Sequence, residues 1–208
     1  MSSMRIKICG ITSVEQALEV AKAGADAIGL VFYKNSPRCV SVSVAQAIVD
    51  QLPPFVSSVG LFVNHTEEEV RETINQVPLD YLQFHGDESP EFCAQFNHPF
   101  IKAIRVKEGV DLVQYAVNFS KAKALLLDAY LDGVPGGTGK TFDWGLIPRG
   151  LSKPIILSGG LNLDNVQQAI RAVNPWAVDV SSGVEHSPGI KDIHKCQAFI
   201  QGARNETL

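Results

Sequence analysis

Eight short runs, several of them nearly all apolar, recur along this chain at fairly even spacing, and a polar–apolar stretch follows each of them. The runs are Arg5–Cys9, Asp26–Phe32, Val56–Val63, Tyr81–Phe84, Phe100–Arg105, Ala124–Asp128, Pro154–Leu157 and Ala177–Ser181. Strands that stay apolar instead of alternating are strands covered on both faces. The stretches between them carry helix signals. Ser13 can cap a helix that runs to Ala23 and stops at Gly24. Thr66 stands before Glu67-Glu68-Glu69, an acidic first turn ahead of Val70 and Ile74. Leu163–Val166 and Lys191–His194 begin two further helices.

Strand–helix alternation of this kind implies parallel strands joined by right-handed crossovers. A closed barrel and an open doubly wound sheet both satisfy it. A count of eight favours the α/β class in its closed form, the (β/α)8 TIM barrel. The turn after the first strand, Cys9-Gly10-Ile11-Thr12, lacks the GxGxxG of an open dinucleotide-binding sheet. With 208 residues, residues 1–208 make one nearly minimal barrel domain with no room for a large insertion. The longest interruption, Ala129–Thr141, is rich in glycine and reads as a mobile lid. Its Gly136–Thr141 segment resembles the end of a P-loop, but the glycine that pattern requires is Val134 here.

Composition narrows the partners. A net charge of −4 with no concentrated basic run disfavours nucleic acid. No apolar run approaches the roughly 18 residues of a membrane span. Met1–Arg5 leads straight into a strand with no apolar signal core, so a cytoplasmic protein is expected. Cys9, Cys39, Cys93 and Cys196 are scattered, without CxxC spacing, and the five histidines show no ligand spacing, so no metal is expected.

In a barrel of this kind chemistry gathers at the C-terminal strand ends. There this chain places Lys7 and Cys9, the Asn35–Arg38 loop, Gln83 and His85, Asp128, Ser158-Gly159-Gly160, and Asp179 to Gly183. Residues two apart share a strand face, so Lys7 and Cys9 point together, as do Asp179 and Ser181. Barrel closure sets strand eight beside strand one, and Lys7, Cys9 and Asp179 then cluster. Either they form a reactive group, or Lys7 and Asp179 are an ion pair with Cys9 as filler. A cation lowers a thiol pKa and an anion raises it, so sequence leaves the net sign open. The glycine turns after strands seven and eight, with Gly159, Gly160, Ser181, Ser182 and Gly183, suit backbone binding of a phosphate.

Taken together these segments resemble the phosphoribosylanthranilate isomerase family. The matching stretches are Lys7–Thr12, Ser36-Pro37-Arg38, Gln83–Gly86 (with Phe84 where leucine is usual), Gly136–Gly139 with Phe142-Asp143-Trp144, Ser158–Leu161, Asp179–Glu185 and Pro188–Asp192. They cover essentially the whole chain in order. The resemblance implies an Amadori rearrangement of a phosphoribosyl anthranilate in tryptophan biosynthesis. It implies Asp128 as general acid and Cys9 as general base. It also assigns Arg38 to the anthranilate carboxylate, Asp179 to a ribose hydroxyl, and Lys7 and Gln83 to the substrate site. A phosphosugar is then the small-molecule partner, no cofactor is needed, and the chain acts as a monomer or homodimer. An ordinary aspartate ionises near about 3.9 and a cysteine near about 8.5, so the acid has to be raised or rarely protonated. The base has to be lowered or deprotonated in the substrate's field. Two other readings remain at this point. One is a different phosphosugar reaction, against which Cys9 and the lack of strand-end histidine pairs argue. The other is a phosphosugar-binding domain without turnover.

Overall fold

The computed structural model describes residues 3–129 and 143–205. The barrel strands are β1 (Arg5–Cys9), β2 (Ala27–Val31), β3 (Ser57–Phe62), β4 (Tyr81–Phe84), β5 (Phe100–Val106), β6 (Ala124–Ala129), β7 (Ile155–Leu157) and β8 (Ala177–Val180). All are parallel to their neighbours, and the order β1 to β8 closes on itself through the β1–β8 pairing. The helices are α1 (Val14–Ala23), α2 (Val42–Gln51), α3 (Glu67–Gln76), α4 (Pro90–Ala94), α5 (Leu112–Asn118), α6 (Val166–Val173) and α7 (Ile193–Asn205). The stretch 130–142, which holds most of the expected lid and its P-loop-like glycines, lies outside the described residues. Among the described residues no helix is long and apolar enough to cross a membrane.

Local chemistry sets the helix ends. Ser13 accepts from the Gln16 N–H, and Gly24 closes α1 in the left-handed region at φ 105°. Thr66 and Glu69 form a full capping box on α3. Two helices start later than their sequences suggest. Asn162 Oδ1 accepts from the N–H groups of Asp164 and Asn165, so a side-chain-closed turn precedes α6. Asp192 Oδ1 accepts from His194 and Lys195, which starts α7 at Ile193. Lys191 instead belongs to an antiparallel hairpin that the sequence reading missed, β9 (Glu185–Ser187) with β10 (Ile190–Lys191).

Period-two alternation divides each strand between two cores. Ile6, Ile8, Leu82, Phe84, Leu125, Leu127, Val178 and Val180 pack outward under the helices. Val59, Ile101, Ala103, Ala124, Leu126, Ile156 and Ala177 fill the barrel. The same parity turns Lys7, Cys9, Gln83, Asp128 and Asp179 inward, above that filled interior.

Candidate active site

The C-terminal mouth forms a cup open to solvent, a concave site with a few convergent polar groups. Its wall carries Cys9, Arg38, Gln83, His85, Asp128, Ser158, Gly159, Gly160, Asp179, Ser181 and Ser182. The structure thus brings together every expected site residue except two. Lys7 lies deeper, and Gly183 stands behind the turn.

Lys7 and Asp179 are paired in the β1–β8 register, and Lys7 Nζ donates to Asp179 Oδ1 at 2.8 Å. Ser158 donates to the other oxygen, Oδ2, at 3.1 Å. The ion pair considered from sequence is therefore real, and Asp179 has both oxygens engaged before any sugar arrives. Burial by itself would lower Lys7, but the Asp179 carboxylate and the nearby Cys9 outweigh it and hold the ammonium above its usual range.

Cys9 answers the question that sequence left open. Burial pushes its thiol up, Lys7 pulls it down, and Asp179 adds to the rise. The net shift is upward, so the resting side chain is a thiol, and of the two routes to a base the one left is deprotonation in the substrate's field. Space for the sulfur comes from Gly29, its register partner on β2, where a Cβ would lie 2.6 Å from Cys9 Sγ.

Arg38 also departs from expectation. Its Nε and Nη2 donate to Glu185 Oε1 and Oε2, each at 2.7 Å. This bidentate pair raises Arg38, and it occupies the edge of the guanidinium that a ligand carboxylate would otherwise take. The edge formed by Nη1 and Nη2 remains for a ligand. Lys191 Nζ reaches Glu185 Oε1 at 2.7 Å and Ser181 O at 3.2 Å. Burial would raise Glu185, but the two cations hold it below its usual range. Burial lowers Lys191 in spite of the pair. Glu185 and Lys191 fell inside recognised motifs, yet nothing in their spacing showed that Glu185 would grip Arg38, 147 residues away.

The two glycine turns meet. Gly159 and Gly160 hold positive φ values of 83° and 69°, and among the described residues their N–H groups have no protein acceptor. Asn165 Nδ2 fixes the turn by donating to Gly160 O at 2.9 Å. A Cβ on Gly183 would lie 2.0 Å from Leu161 O, so Gly183 lets the eighth turn close against the seventh.

At the far wall Gln83, His85 and Asp128 form a hydrogen-bonded chain with two 3.0 Å links. From sequence His85 stands at the end of strand four within the Gln83–Gly86 motif, with no role of its own assigned. Its parity with Gln83 was the signal that it faces the cup. Among the described residues no group of His, Cys, Asp and Glu is arranged to hold a metal ion.

The family profile described as N-(5'phosphoribosyl)anthranilate (PRA) isomerase matches residues 6–202. The chain is 58% identical over 207 residues to N-(5'-phosphoribosyl)anthranilate isomerase of Pseudomonas fluorescens SBW25, covering 100% of this chain and 99% of that one. The crystal structure of phosphoribosyl anthranilate isomerase from Thermotoga maritima superposes with a TM-score of 0.90 at 44% identity, covering 97% and 99% of the two chains. A phosphoribosyl anthranilate isomerase in complex with reduced 1-(o-carboxyphenylamino)-1-deoxyribulose 5-phosphate gives a TM-score of 0.86 at 42% identity, with the same coverage.

Proposed function

The chain belongs to the N-(5'-phosphoribosyl)anthranilate isomerase family, and on that premise we propose how its own residues perform the isomerisation. The substrate is N-(5-phosphoribosyl)anthranilate and the product is 1-(2-carboxyphenylamino)-1-deoxyribulose 5-phosphate, a step of tryptophan biosynthesis. The observation that carries the assignment is that Cys9 and Asp128, inward-facing ends of β1 and β6, line one cup whose wall also holds the two glycine turns.

Asp128 gives a proton to the furanose ring oxygen. The C1–O bond breaks toward that oxygen while the anilino nitrogen lone pair forms the C1=N bond. The protonated Schiff base acidifies C2–H, and the Cys9 thiolate removes that proton to leave an enolamine. Protonation at C1 and loss of the 2-hydroxyl proton give the ketone. Because the thiol is the resting form, turnover proceeds through the minor thiolate, which Lys7 favours and the cationic Schiff base favours further. The rearrangement shifts protons and electron pairs within the substrate with no net oxidation or reduction, and the scheme uses no metal or organic cofactor.

The Gly159, Gly160, Ser181 and Ser182 turns take the phosphate through backbone N–H groups. Arg38, braced by Glu185, presents its remaining edge to the anthranilate carboxylate. Asp179 accepts a ribose hydroxyl on its remaining lone pairs. The setting is the cytoplasm, where four free thiols (Cys9, Cys39, Cys93 and Cys196) are at home. The working unit is a monomer or a homodimer of this single barrel.

The test follows anthranilate-adduct fluorescence on freshly formed substrate. The parent turns it over, while Cys9→Ala and Asp128→Asn each lose several orders of magnitude in kcat with the fold intact. Near-parental kcat in either variant removes that residue from its role.

A further inference from the structure

We infer that His85 is the positioning residue of the acid, an inference that rests on reading Asp128 as that acid. β4 and β6 are not neighbours, since β5 runs between them. His85 nonetheless crosses the mouth to bring its Nε2 to 3.0 Å from Asp128 Oδ2. Behind it, Gln83 Nε2 lies 3.0 Å from His85 Nδ1. An amide nitrogen has hydrogens to give and no lone pair to offer. Nδ1 is therefore the acceptor, the ring proton sits on Nε2, and that proton is donated to Asp128. Gln83 selects one tautomer and one direction for the whole chain.

The cost of this arrangement is visible. Gln83 is fully buried, and among the described residues its Oε1 has no hydrogen-bond partner, which costs stability. Turning the amide over would present Oε1 to Nδ1 and draw the ring proton away from Asp128. The orientation found is the one that serves Asp128.

The main chain at His85 is pinned as well. Arg105 Nη2, from the β5 end beside Asp128 in register, donates to His85 O at 3.4 Å. Glu88 accepts from the next N–H, Gly86, at 2.9 Å, and Lys102 neutralises Glu88 at 2.8 Å. A carboxyl on a short side chain can rotate about its last bond. A fixed donor on one oxygen sets the carboxyl plane, so its proton meets the ring oxygen in line.

The decisive comparison is of purified His85→Leu, His85→Gln and Asp128→Asn proteins with the parent. His85→Leu loses about 10- to 100-fold in kcat while KM stays within about twofold. His85→Gln, whose amide can again donate to Asp128, recovers most of that loss. A His85→Leu kcat within twofold of the parent, or a His85→Gln as slow as His85→Leu, overturns the inference. Full activity in Asp128→Asn would instead overturn the reading of Asp128 and leave the His85 result to be read alone. Should His85→Leu fail to fold, 15N NMR of the parent imidazole decides. The neutral Nε2–H tautomer at pH 7.5 supports the inference, and an Nδ1–H tautomer or a doubly protonated ring overturns it.

Discussion

One guanidinium and one thiol carry the residue-scale consequences. Cys9 is buried and its thiol stands above the ordinary range, so little thiolate is present at neutral pH. Alkylation of Cys9 by iodoacetamide, followed by peptide mass spectrometry, should be slow at pH 7. It should climb about tenfold per pH unit past about 8.5, where an ordinary cysteine levels off. Levelling below pH 8 would show a lowered thiol and reverse the sign. Arg38 keeps a bidentate bond to Glu185 on one edge and offers the other to a carboxylate. Arg38→Lys retains the charge but supplies neither fork. Its KM should rise by about 10- to 100-fold, equivalent to about 1.5–3 kcal/mol for a charge-assisted pair. An unchanged KM in the lysine variant would leave Arg38 with the task of shaping its loop.

The elements that matter most are the two turns after β7 and β8 and the hairpin beyond them. Gly160 holds φ 69°, a conformation that a β-branched residue adopts only at a cost. Gly160→Val should weaken phosphate binding strongly, while Ser182→Ala should change it little, because the donors are backbone. Calorimetric titration of inorganic phosphate into each folded variant reads this directly. Unaltered affinity in folded Gly160→Val removes the β7 turn from the site. In the hairpin, Glu185 is held low by Arg38 and Lys191. A carboxylate lowered in the folded state stabilises above its unfolded pKa, and that contribution disappears as pH falls through the folded value. Glu185→Gln removes the contribution and leaves Lys191 buried beside Arg38, so the melting temperature at pH 7 should fall, with a loss of about 3–5 kcal/mol. Below pH 4 the stability of the variant should depend less steeply on pH than the parent's. Parallel acid titrations of the two proteins would contradict this.

For the whole molecule, the barrel closes only when its last elements return to its first. β8 pairs with β1, and α7 packs on α1, α6 and β1. Arg204 on α7 donates to Gly24 O, the end of α1, at 2.7 Å. Phe199 is fully buried on that helix and does not line the cup. Phe199→Ala should cost about 3–5 kcal/mol in urea unfolding and leave kcat/KM of the folded protein near the parent's. A loss below about 1 kcal/mol would mean that α7 is not part of the cooperative core.

Much of this was legible in the chain itself. Eight doubly buried strands declare themselves because a parallel strand covered on both faces must be apolar along its length. Strand parity then brought Lys7, Cys9 and Asp179 together, since side chains alternate with a period of two and closure makes β8 the neighbour of β1. Motif resemblance indicated the family. Tertiary structure decided the rest, because the remaining quantities depend on distances between residues far apart in sequence. Cys9 rises and does not fall because burial, with Asp179, outweighs Lys7 and Lys191, a balance that no spacing encodes. Arg38 is already bound because β9 delivers Glu185 to it. His85 reaches Asp128, 43 residues away, because the curvature of the closed sheet brings the ends of β4 and β6 across β5.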